Sequence, residues 1–298
     1  MQHVDGRQQR KTIAELLVRY RFEPSIRDLF VEGRSDAAVV RRFLRNVKLD
    51  HVVVYEVSTV EIPPETVLAS GQPDGVRGRI IYLALELGGH LSQESKAATC
   101  VADRDYDLVL GRNYGSGILL FLDYSCVEMY AYNEVVLERL LNGIAPGAKM
   151  SGLDVLRELE PLLRRLFLIR ATNISLGLRM KWLSSFANSC TLGSDGVVSF
   201  DEGDFIRRYL SKNSRLSDIE TFRIRLEELS ARAVGDARLF VRGHDFAQIL
   251  SWYLREHASG SSPLYRPEVL EQLLLAYIDS SDLAGEGFFK LLVERLHP

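Results

Sequence analysis

Short apolar runs and helical repeats alternate along the first half of the chain. Residues 29–31, 51–57, 99–102 and 118–122 are apolar runs of strand length, the second rich in valine, and they predict four strands. Between them, residues 36–45 put Val39, Val40, Phe43 and Leu44 on one helical face, and residues 76–87 predict a second helix. Strand and helix in succession predict a mostly parallel sheet with right-handed crossovers, flanked by helices. Near residue 150 the pattern becomes almost wholly helical. Segments 153–169, 216–233, 245–257, 268–278 and 288–296 carry it, with a kink expected at Pro161, a capping box at Ser217 and Glu220, and Pro267 as a first helical residue. Gly193, Asp195 and Gly196 predict a loop or small hairpin within residues 188–203. The expected organisation is a helical extension over 1–25, an α/β domain over 26–150 and a mainly helical domain over 151–298.

Composition narrows the class. A chain of 298 residues, 46% hydrophobic, can bury two modest cores. The net charge of -3 gives no overall positive field, so nucleic-acid binding would need a local basic patch. Cys100, Cys126 and Cys190 are scattered and odd in number, which fits a reducing cytoplasm rather than a disulfide framework or a zinc site. The start, with Gln8, Gln9, Arg10 and Lys11, is polar, and no apolar run reaches membrane-spanning length, so a cytoplasmic location without membrane association is expected.

Candidate chemistry gathers at the strand ends. Three of the four predicted strands run into an acid: Glu32, Asp103 and Asp123. Ligands of an open parallel sheet collect at the carboxyl ends of its strands, so acids far apart in sequence can share one edge. Asp105 and Asp107 extend the run after Asp103, and a turn there can bring the oxygens of Asp103 and Asp105 to one hard cation. Several carboxylates in one cleft raise one another's pKa unless a cation compensates, and bound Mg²⁺ or Mn²⁺ would do so while polarising a phosphoryl oxygen and activating water. The plainer reading is that these are turn and cap acids. Gly33 is expected to allow a sharp turn and close phosphate approach, Ser35 to cap the next helix, and Asp36 to lie near Glu32.

At Phe30-Val31-Glu32-Gly33 and Val101-Ala102-Asp103-Arg104-Asp105 the chain resembles a TOPRIM domain, the metal-binding module of topoisomerases, primases and OLD-type nucleases. The resemblance covers roughly residues 26–145. It implies that Glu32 transfers a proton or binds metal, that Asp103 and Asp105 hold the cation, and that Asp36 is the additional acid of the OLD-type branch. With Phe121-Leu122-Asp123-Tyr124, Glu128, Tyr130 and Arg242-Gly243-His244-Asp245, the chain further resembles the TOPRIM effectors paired with ABC-type or AAA-type ATPases in anti-phage defence, such as those of the PARIS system. That resemblance implies a toxic endonuclease acting on RNA, transfer RNA included, or on DNA, and held by its ATPase partner. GxxxxGK[ST] is absent, so ATP hydrolysis would fall to the partner.

Other residues carry two readings each. Glu128 opens the helical pattern 127–141, as a second-metal ligand beside Asp123 or as a favoured first-turn acid. His244 is a base, a phosphate contact or a packing residue, and Lys181 neutralises a phosphate or is simply solvated. Arg34, Arg41, Arg42, Arg45 and Arg104 form the best basic patch or a solvated helix face, and Tyr130 and Tyr132 either stack on bases or fill the core. A homodimer is the default assembly. A protein that keeps this fold only to dock on an ATPase assembly is the alternative from another class.

Overall fold

The computed structural model describes residues 10–73, 75–92, 95–146, 150–183, 185–193, 196–257 and 262–297. Residues 1–9 of the expected extension, Asp195 of the expected loop and residues 147–149 beside the expected boundary lie outside the described residues. The protein is α/β, 61% helical, with parallel sheets flanked by helices. Among the described residues no helix is long and apolar enough to cross a membrane. Two compact units form: Met1–Asp103 with Asn113–Asp123 and Asp279–Pro298, and Arg104–Arg112 with Tyr124–Ile278. This division differs from the expected one at residue 150, because the last turns of the chain pack with the sheet.

The first unit opens with β1 (Lys11–Thr12) and α1 (Ile13–Phe22), where Thr12 and Glu15 make a reciprocal capping box. Next come β2 (Asp28–Val31), α2 (Arg34–Asn46), β3 (Val53–Glu56), β4 (Val60–Glu61), α3 (Pro64–Ala69), α4 (Val76–His90) and β5 (Ala98–Ala102). The predicted strand 51–57 shortens to four residues because it gives way to a 3-10 turn at Val57–Thr59. After α5 (Asp107–Leu110), which belongs to the second unit, β6 (Leu119–Phe121) completes a four-stranded parallel sheet of order β3-β2-β5-β6. Every residue of β2 and β5 is buried, as expected of strands covered on both faces. Phe30, Cys100 and Ala102 join Leu16, Tyr20, Ile80 and Leu83 of α1 and α4 in one core layer. Alternation along the strand sends Leu29 and Val31 the other way. The predicted extension is therefore part of this unit: buried Asp28, at the start of β2, accepts from Arg19 Nη1 at 2.8 Å and from the Tyr20 hydroxyl at 3.1 Å.

The second unit continues with α6 (Glu134–Ile144), α7 (Gly152–Ser175), the antiparallel hairpin β7 (Cys190–Leu192) and β8 (Val198–Phe200), and then α8 (Glu202–Lys212) and α9 (Ile219–Ser230). It ends with α10 (Gly243–His257) and α11 (Pro267–Tyr277). The chain then returns to the first unit with α12 (Ser280–Ala284) and α13 (Gly287–Leu296), whose Phe289 ring lies 4.6 Å from that of Phe43 on α2. Pro161 lies inside α7, which runs on for 24 residues. Proline inside a helix costs about 3 kcal/mol, and buried Leu159, Leu162, Leu163 and Leu166 on both sides of it offset that cost. The Ser217–Glu220 capping box is not formed: a 3-10 turn, Leu216–Asp218, leads into α9 instead.

Gly78 lies inside α4, where alanine would normally gain about 1 kcal/mol of helix propensity. An added Cβ would overlap the Pro73 carbonyl oxygen, a backbone atom that cannot swing aside. Overpacking, at about 1–3 kcal/mol, should win, so Gly78→Ala is expected to lower the urea midpoint rather than raise it.

Candidate functional site

The order β3-β2-β5-β6 reverses direction between β2 and β5, since the chain first moves outward to β3 and then crosses back past β2. At such a switch point the segments leaving two adjacent strands diverge and open a crevice at their carboxyl ends. Glu32 follows β2 and Asp103 follows β5, so both acids stand at this crevice. The Asp103 amide donates to Glu32 Oε1 at 3.0 Å. The carboxylate of Glu32 is thereby tied to the backbone of Asp103. Arg77, from the first turn of α4, donates through Nε to the Asp103 carbonyl at 3.1 Å and lies over the Tyr114 ring at 5.7 Å. Sequence reading passed over Arg77, yet a signal was present: a basic first turn with no acid runs against the helix dipole.

Local chemistry around Glu32 differs from expectation in two respects. The helix after the turn starts at Arg34, and Asp36, not Ser35, closes it, its Oδ2 accepting from the Gly33 amide at 2.9 Å. Gly33 has φ -146°, ordinary extended backbone, and an added Cβ would meet only Asp36 Oδ2 at 3.7 Å. The fold itself does not require glycine there.

Asp123, expected as a second-metal ligand, serves as a tertiary cap. Its two oxygens accept from the Phe288 amide at 2.9 and 3.0 Å, so the carboxylate anchors the N-terminus of α13. Gly287 permits this approach, because a Cβ there would stand 2.9 Å from Asp123 Oδ1.

Asp105, Glu128, Lys181 and His244 belong to the second unit. Asp105 is not in extended chain: it takes the left-handed φ of +44°, which aspartate tolerates, and its amide donates to the Ser125 carbonyl. Glu128 begins no long helix. It sits buried in the 3-10 turn Val127–Ala131, with Oε2 placed 2.5 Å from where a Cβ on Gly243 would be, and Asn133 caps α6 separately. Lys181 is exposed, its backbone amide and carbonyl bracketed by the side chain of Asn213. Buried Asp245 receives both Arg170 Nε and Nη2 at 2.7 Å, while the Arg170 guanidinium stacks 3.6 Å from the Trp182 centroid. Arg242, among Tyr106, Asp245 and Asp105, has its pKa held above the ordinary value by those neighbours against the opposing effect of burial.

Tyr130 and Tyr132 are buried, packed on Tyr124 and Phe246 respectively, and offer no face to a base. Arg41 leaves the proposed basic patch, since Nη2 donates to the Val54 carbonyl at 2.7 Å. Among the described residues, no three acids, histidines or cysteines are grouped to hold a metal ion. No known family model matches the chain, and no curated protein matches it. Fold and site together define a parallel α/β protein with paired acids at its switch point.

His244 and Glu271, on neighbouring helices α10 and α11, form a pair with Nδ1 2.5 Å from Oε1. The hydrogen bond that His244 donates to Glu271 raises the His244 pKa above the ordinary value of about 6.5, and burial only partly opposes it. A raised folded-state pKa means the pair's stabilising contribution is complete below the unfolded value and fades as pH rises through the folded one. Proton NMR titration should place the His244 midpoint above that of an unfolded histidine and return it downward in Glu271→Gln. The caps give a second test. Asp123→Ala should lower stability by about 1–2 kcal/mol in urea unfolding, whereas Gly33→Ala should change it by less than about 0.5 kcal/mol.

Proposed function

We propose that the chain is a Mg²⁺- or Mn²⁺-dependent endonuclease of TOPRIM type. The observation that carries this reading is the meeting of Glu32 and Asp103 across adjacent parallel strands at the switch point. A divalent cation bound there would polarise a phosphoryl oxygen and lower the pKa of attacking water. Magnesium commonly takes only one or two carboxylates from a protein, with water and substrate phosphates completing its shell, so a pair of acids is a sufficient donor set. In this reading Glu32 and Asp103 are the protein ligands, or Glu32 accepts the proton of the attacking water. Arg77 steadies the Asp103 backbone and adds positive charge for a phosphodiester. Asp36 and Asp105 enter through the motif alone, and Asp36 contributes by fixing the Gly33 amide that precedes α2. The resemblance to defence effectors supplies the rest of the proposal: a toxic nuclease cutting RNA, transfer RNA included, or DNA, controlled by an ATPase partner, and working in the cytoplasm as a homodimer.

A second reading has one observation in its favour. The lack of a three-membered acid group among the described residues suits a non-catalytic subunit that keeps the fold to dock on an ATPase. Calorimetry with Mg²⁺ and Mn²⁺ separates the two, since the docking protein would bind neither.

Glu32→Gln keeps an oxygen to accept the Asp103 amide but removes the negative charge. It should reduce metal-dependent cleavage of labelled transfer RNA or DNA by about a hundredfold or more, with an unchanged urea midpoint. Equal cleavage by purified wild-type and variant protein would contradict the nuclease reading.

A further inference from the structure

The opposite end of the same sheet carries a second cluster that the nuclease reading does not use. Arg27 directly precedes β2, and Lys96 lies two residues before β5, so both stand on loops feeding the amino ends of the two central strands. With Arg21, His90, Ser92 and Ser95 they line a cavity of about 450 Å³. In a chain whose net charge is -3, four basic side chains on one cavity need a reason.

Helix dipoles supply part of one. Arg21 and His90 lie in the last turns of α1 and α4, where basic side chains are favoured. Arg27 and Lys96 are on neither helix. Arg27 donates through Nη1 to the Pro24 and Ile26 carbonyls, which fixes the guanidinium, yet its Nε is shut from solvent with no acceptor among the described residues. Lys96 Nζ donates to the exposed His297 carbonyl, at 2.8 Å. Behind the loops Arg295 donates to Thr99 Oγ1 and to the carbonyls of Ser95 and Ala98. Burial first, and then repulsion from Arg27, hold the Arg295 pKa below its ordinary value, so the charge surplus is felt inside the unit as well. The Ser95 hydroxyl accepts weakly from the Ala97 amide, which leaves its proton to donate.

We infer that this cavity is a binding site for a small phosphorylated ligand carrying two or more phosphoryl groups. Three permanent cations and two serine hydroxyls offer the charge-assisted donors that phosphate oxygens require. The volume suits a ligand of nucleotide size rather than a duplex. The site faces away from the crevice of Glu32 and Asp103, because amino and carboxyl ends of parallel strands lie on opposite edges. It is therefore an effector or cofactor site and not the place of cleavage.

Isothermal titration with inorganic tripolyphosphate, in buffer containing a chelator, tests this without any metal. One site per chain is expected. Arg21→Gln with Lys96→Gln should weaken it by about tenfold or more, as expected from the loss of charged hydrogen bonds, and Arg21→Gln alone, an exposed change that leaves the core intact, should weaken it in the same direction. Glu32→Gln should leave the affinity as it was, which keeps this inference separate from the nuclease reading. No binding by the wild type, equal affinity in the double variant, loss of binding in Glu32→Gln, or displacement of tripolyphosphate only by long oligonucleotides would each overturn it.

Discussion

A single hydrogen bond, from the Asp103 amide to the Glu32 carboxylate, closes the carboxyl ends of two strands whose linked residues are 71 positions apart. It can form only because β2 and β5 are neighbours in register, with Asp28 opposite Ala98 and Phe30 opposite Cys100. Parallel pairing with that register goes with burial of both sheet faces, since every residue of β2 and β5 is buried. The acid pair is thus a consequence of hydrophobic packing several residues away. Charge alone would drive the two carboxylates apart.

The other acids show how often a carboxylate is occupied by the fold. Asp36 closes the first turn of α2, Asp123 anchors α13, and Asp245 grips Arg170 with both oxygens. Each satisfies partly buried donors, where a hydrogen bond left unmade costs stability. Asp123 is instructive because strand-end acids in parallel sheets invite a catalytic reading. Here the helix it serves comes from the end of the chain, and Gly287 leaves it the necessary room.

Cationic residues divide along the same sheet. Arg77 binds the Asp103 carbonyl at the carboxyl edge, while Arg27 and Lys96 gather at the amino edge. A nearly neutral chain can therefore carry acids at one edge of a sheet and cations at the other. Neither end is visible in the net charge.

Much of the local structure was legible in the chain itself. Apolar runs located the four strands of the main sheet, helical periodicity located α2, α4, α10 and α13, and turn residues marked the hairpin of β7 and β8, because these patterns reflect burial of one face or both. Acids at three strand ends were legible for the same reason. What the tertiary structure alone decided was partnership: that Glu32 meets Asp103, that Asp123 turns to α13, that Glu271 pairs with His244 across two helices, and that Tyr130 and Tyr132 are core. It also decided that residues 279–298 rejoin the first unit instead of closing a separate helical domain. Periodicity reports which face of an element is buried, whereas a hydrogen bond between distant residues depends on strand order and register, and these are set by the packing of the whole unit.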